Sequence, residues 1–154
     1  MTDEQRQRFD GLLEDVIAGL PVRIAELIHE VPVLVLDRPS PEMIGTLRRE
    51  GTIGPDEDGS DLCGLHSGVG MTQRSLEDPG GWGGGGADAG VPEHIHLFRE
   101  GIIALAFESL GGGGGWEDSE ADEEIYEEVR ITLLHELGHH FGLDEQDLDD
   151  LGYA

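Results

Sequence analysis

Ser119 to Gly142 reads SEADEEIYEEVRITLLHELGHHFG, and this stretch decides how the rest of the chain must be arranged. Ile125, Val129, Thr132, Leu133 and Leu137 recur at three- and four-residue steps, the spacing of one helix face. Ser119 or Asp118 is placed to cap that helix. Glu120, Asp122, Glu123 and Glu124 fall in its first turns, where the helix dipole favours negative charge. Gly142 supplies a stop.

Within it, His135-Glu136-Leu137-Gly138-His139 fits H-E-x-x-H. Residues four apart on a helix are neighbours one turn up, so both imidazoles can reach one ion. The expected ion is Zn2+, which lowers the pKa of water at its open position towards neutrality. Glu136 is rotated away from the two ligands and is the candidate general base. Gly142 can turn the chain back beneath the metal, and the residue three beyond it, Glu145, is the expected third ligand. Asp144 is the neighbour that can ligate instead; spacing favours Glu145. Three protein ligands leave one position open, as a catalytic zinc site requires.

Charge narrows the function classes. There are 34 acidic residues against 9 basic ones, all arginine, for a net charge of -25. Such a field repels phosphate backbones and anionic membrane surfaces, so neither nucleic acid nor membrane is an expected partner. It attracts cations. Cys63 is the only cysteine, which excludes an internal disulfide and suits a small buried thiol. MTDEQRQRFDGLLEDV lacks a basic start followed by an apolar core, so a cytoplasmic protein without a signal peptide is expected.

Residues 1–154 are read as one domain. Asp3 to Ala18 carries a helical stripe at Phe9, Leu12, Leu13, Val16 and Ile17. Pro21 can open a second short helix through Ile24, Leu27 and Ile28. Val31 to Leu36 and Leu62 to His66 are expected strands, with Asp37 to Pro41 a break and residues 42–60 irregular or partly helical. His94 to Phe98 is a third expected strand. Ile102 to Phe107 reads as an apolar strand or a short helix. Asp78 to Gly90 and Gly111 to Gly115 are Gly-rich loops without the Lys-Ser/Thr ending of a phosphate loop. His94 and His96 share one strand face; a second metal site is conceivable there, but polar positions on a half-exposed strand are the expectation.

Four segments in order resemble one group of proteins. Val31 to Pro41 is similar to an early strand ending in an acidic, proline-containing turn. Leu62-Cys63-Gly64-Leu65-His66-Ser67-Gly68-Val69, followed by Thr72 to Ser75, resembles a Leu-Leu-Gly-Leu-Tyr-x-Gly-Val segment with a following Thr-x-Arg-Ser. Pro92 to Phe98 resembles a Pro-Asp-x-Ile strand. His135 to Tyr153 resembles an H-E-x-x-H-H-F-G run with a closing Leu-x-x-Leu-Gly-Tyr. These are segments of the small bacterial zincin-like metallopeptidases, minimal enzymes with a metzincin-like core.

The resemblance implies a compact α+β fold, with a small mixed β-sheet packed on the active-site helix and a short C-terminal helix after the metal loop. It implies His135 and His139 as zinc ligands, Glu136 as general base, and the position of Glu145 as third ligand, acting on a peptide or protein substrate. Glu145 stands where the family often has Asp, and His66 where it commonly has Tyr. Met1, Met43 and Met71 all precede the motif, so the Met-turn of metzincins is absent. An oxyanion partner is sought among Tyr153, His140, Tyr126 and His66. The substrate strand is expected to pair with a sheet edge, His94 to Phe98 being the candidate. The alternative is a zinc-binding regulatory or interaction protein with little catalysis, because so small a chain leaves little material for a cleft.

Overall fold

The computed structural model describes residues 1–67, 93–141, 146 and 150. Five helices and three strands follow in the order α1 (Asp3–Gly19), α2 (Val22–Glu30), β1 (Val33–Leu36), α3 (Pro41–Arg49), β2 (Gly64–Ser67), β3 (His94–Phe98), α4 (Arg99–Ser109) and α5 (Ala121–His140). This is the α+β architecture, with a small mixed sheet, that the segment pattern implies. The expected short helix after the metal loop, Gly142 and the Gly-rich stretch from Asp78 to Gly90 lie outside the described residues.

The sheet has the order β1-β3-β2. β1 runs parallel to β3, with Val33 opposite Ile95 and Val35 opposite Leu97. β2 runs antiparallel, with Gly64 opposite Leu97 and His66 opposite Ile95. Side chains alternate between faces, so Val33, Val35, Ile95, Leu97, Gly64 and His66 all project to one side. That side meets α5, which packs on β2 and β3, with α1 and α4 against its flanks. β3 is therefore central. The expectation that it offers an edge is overturned: among the described residues, β1 and β2 are the edges. Strand order depends on contacts between distant segments, and periodicity within a strand does not encode it.

The core follows from the stripes. Phe9, Leu13 and Val16 of α1 meet Ile125, Val129, Leu133 and Leu137 of α5, with Ile95 and Leu97 beneath and Ile102, Ile103 and Ala106 of α4 beside them. Each such side chain contributes roughly 1.5–3 kcal/mol on burial. α4 settles the ambiguity at Ile102 to Phe107 as a helix. Apolar residues lie on most of its surface: Ile102, Ile103 and Ala106 are buried while Leu105 is left exposed. α3 occupies ground read as irregular or partly helical. Ser40 accepts from the Met43 N–H at 3.2 Å and Pro41 stands in the first turn, so both start signals are present. Ile44 and Leu47 of α3 form a second cluster with Ile53, Leu62 and Leu65.

Arginine staples join the segments. Arg99 donates to both Asp10 oxygens at 2.8 and 3.0 Å and to Asp37 at 3.1 Å. Arg6 forks onto Asp37 at 2.8–2.9 Å. Arg8 reaches Asp122 at 2.6 Å and the Trp116 carbonyl at 2.9 Å, tying α1 to the start of α5. The α5 cap differs from expectation. Glu120 occupies the cap position without a side-chain bond, and Asp118 accepts from the Glu120 N–H at 3.0 Å just before the helix. None of the described helices is long and apolar enough to cross a membrane.

Candidate metal centre

The last turns of α5 carry the expected pair. His135 and His139 bring their Nε2 atoms to 3.0 Å. Two nitrogens on one tetrahedral zinc stand about 3.3 Å apart, from a bond length of about 2.0–2.1 Å. The pair is thus close to the spacing that a shared ion sets, and its donor chemistry fits zinc. Glu145 and Asp144, the carboxylates expected to complete the set, lie outside the described residues.

Glu136 is buried, and so is Thr132 one turn before it. Both lie against the bare backbone of Gly64 in β2. A Cβ at Gly64 would stand 2.9 Å from Glu136 Cγ, from its Oε1 and from Thr132 Cγ2. Glycine here is a matter of close approach. It lets the helix bearing the candidate base settle onto the strand.

A second group of donors lies at the same end of the helix. His66, Glu93 and His140 place one ligand atom each within 4.8 Å of one another. They come from β2, from the residue before β3 and from the end of α5. Glu93 extends the alternation of Ile95 and Leu97 back by one step, so it shares the helix-facing side of the sheet. Its Oε2 is 2.5 Å from His140 Nδ1. That approach is ionic in distance but does not meet hydrogen-bond geometry: among the described residues, His140 Nδ1 is a buried atom without a hydrogen-bond partner. Burial, and then the nearby imidazoles of His140, His139 and His94, pull His66 down to about 4, so at neutral pH its ring is an uncharged donor.

The remaining sequence candidates separate. The Tyr126 hydroxyl lies 3.0 Å from where a Cβ of Gly19 would be, so Tyr126 faces the end of α1 and is remote from His135 and His139. At about 1.5 Å per residue, His135 is more than 13 Å further along the helix. Arg130 pairs with Glu127 of its own helix at 2.9 Å rather than with a loop carboxylate. Tyr153 lies outside the described residues. His94 and His96 pack edge to face, 4.7 Å apart, on the sheet side away from α5, and they join no three-donor group among the described residues. Burial first, then Glu128, Asp61 and Glu136, push the Cys63 thiol up to about 11, which makes it a poor nucleophile. Sequence reading missed Glu93. Its signal was the period-2 step that puts it in line with Ile95 and Leu97.

A helix with paired imidazoles and an adjacent buried carboxylate, seated on a small mixed sheet, defines a zincin-like protein. Residues 28–153 match the family described as zincin-like metallopeptidase. That span is well over half of the chain, and the chain belongs to this family. Among curated proteins, none matches it.

Proposed function

We propose that this protein is a zinc-dependent peptidase that hydrolyses peptide bonds with Glu136 as general base. The observation that carries the reading is the 3.0 Å approach of His135 and His139 above a buried Glu136. His135, His139 and Glu145 are the residues that would hold the ion. Zinc would supply Lewis acidity and an acidified water. Glu136 takes the proton from the attacking water and returns it to the leaving amine. The wall formed by Gly64 and Thr132 fixes its position, so little reorganisation accompanies the transfer. β2 is an edge among the described residues and lies beside Glu136, so an extended substrate pairing with β2 would pass the base. The acidic surface favours substrates that are not themselves strongly acidic.

The test is cleavage of a peptide library by zinc-loaded protein and by Glu136→Gln. Cleavage is expected to fall by about 10²–10⁴-fold in the variant, with metal content unchanged. Equal cleavage by both would remove Glu136 from the mechanism. No cleavage of any peptide by the wild type, with the metal bound, would favour a regulatory zinc protein.

A further inference from the structure

We propose that His66, Glu93 and His140 form a second divalent-cation site, separate from the His135/His139 pair, taking a zinc-class ion through two imidazoles and one carboxylate. The inference does not rest on peptidase activity.

Three separate elements converge on this point. β2 contributes His66, the approach to β3 contributes Glu93, and α5 contributes His140, with donor atoms within 4.8 Å of one another. The side chains of His140 and Glu93 are 11% and 16% exposed, so little water reaches them. Among the described residues, His66 Nε2 and Glu93 Oε1 are buried with no hydrogen-bond partner. Buried polar atoms are almost always satisfied, and each exception calls for an explanation.

A plain ion pair between Glu93 and His140 accounts for only two of the three groups. It leaves the other Glu93 oxygen and the His66 nitrogen buried without partners. It also requires an aligned N–H, which the 2.5 Å approach of His140 Nδ1 to Oε2 does not provide. One cation among the three supplies a partner to His66 Nε2, His140 Nδ1 and a Glu93 oxygen together, since it needs lone pairs and no aligned proton. Two nitrogens and an oxygen are borderline donors suited to zinc, cobalt or nickel rather than to magnesium or calcium. Bonds of about 2.0–2.2 Å in a tetrahedral site put donors about 3.2–3.5 Å apart. Donors that lie within 4.8 Å of one another must therefore draw in by no more than about 1–1.5 Å to hold one ion.

The two sites are neighbours in sequence, His139 serving one and His140 the other. About 100° of helix rotation divides consecutive residues, so the two rings address different ions. A filled second site would join the end of α5 to β2 and to the approach to β3, and so hold the helix end that carries His139.

The experiment is equilibrium dialysis of the full chain against Zn2+, and separately Co2+, with millimolar Mg2+ present to occupy the acidic surface. Bound metal is then counted per chain, and folding is followed by circular dichroism. His66→Phe and Glu93→Gln are each expected to lose one equivalent that His135→Ala/His139→Ala retains. With Co2+, the visible absorption remaining in that double variant is expected to vanish when His66→Phe is added. Equal metal in wild type and in folded His66→Phe overturns the proposal, as does complete metal loss in folded His135→Ala/His139→Ala. If Glu93→Gln fails to fold, His66→Phe decides alone. Failure of the motif site shows differently, as no loss in His135→Ala/His139→Ala.

Discussion

Gly64→Ala tests the seating of Glu136 most directly. The added methyl would stand 2.9 Å from three heavy atoms, Glu136 Cγ, Glu136 Oε1 and Thr132 Cγ2. Carbon contacts are comfortable at about 3.5–4.0 Å, so a displacement of about 0.6–1 Å is required. Oε1 can swing aside, but Cγ2 belongs to a buried β-branched side chain on a helix, where its rotamers are restricted. Either α5 lifts from β2 or Glu136 leaves its place. Overpacking of this kind costs about 1–3 kcal/mol, or a fall of about 2–12 °C in melting temperature at roughly 2–4 °C per kcal/mol. A base moved by about 1 Å loses on the order of 10² in rate. The control is Gly11→Ala in α1, where nothing lies within 4 Å of the added methyl. There the same chemical change is expected to stabilise by about 0.5–1 kcal/mol. Thermal unfolding and peptide cleavage are measured for both. If Gly64→Ala melts with the wild type and cleaves with the same kcat/KM, the strand does not hold the base and the reasoning fails.

Other outcomes follow from the arginine staples and the thiol. Arg99 is 12% exposed between Asp10 and Asp37. Its truncation to Ala is expected to cost about 1–3 kcal/mol, below the value for a fully buried pair because Asp10 is half exposed. Arg130→Ala, which breaks a pair within one helix, should cost no more than about 0.5 kcal/mol in the same urea titration. Bonding to Arg6 above all, opposed by burial and aided by Arg99, holds the Asp37 carboxyl below its ordinary 3.8. Its stabilisation is therefore complete above that value and lost as pH falls through the depressed one. Melts taken between pH 5 and 2 should show a shallower acid decline in Arg6→Ala, and an unchanged slope would contradict the assignment. Cys63, raised from 9.0 to about 11, should react with iodoacetamide at pH 8 roughly 100-fold more slowly in the native protein than in urea. Equal rates would show that the thiol is not shielded.

Helices with a stripe and a punctuation mark were legible in the sequence. Phe9, Leu13 and Val16 marked α1, and Ile125, Val129 and Leu133 marked α5, because each packs one face only. Ile102 to Phe107 was ambiguous because α4 is apolar nearly all round, which erases the period. Ser40 and Pro41 announced α3, yet the same two residues also fit a turn. The position of β3 between β1 and β2 could not be read, since it depends on which distant strands flank it. The same limit applies at the metal centre. The approach of His135 to His139 was legible because one helix sets their spacing. Glu93, His66 and His140 lie on three elements, and only the folded sheet brings them together.

The staples and the strand order also bear on how the chain is born. Arg8 meets Asp122 across 114 residues, and β1 pairs with β3 rather than with the strand that follows it in sequence. Synthesis at about 5–20 residues per second leaves α1 without its partner for on the order of ten seconds. During that interval Phe9, Leu13 and Val16 have no α5 to cover them. The helix that carries His135 and His139 is thus also the element whose arrival ends the exposure of α1.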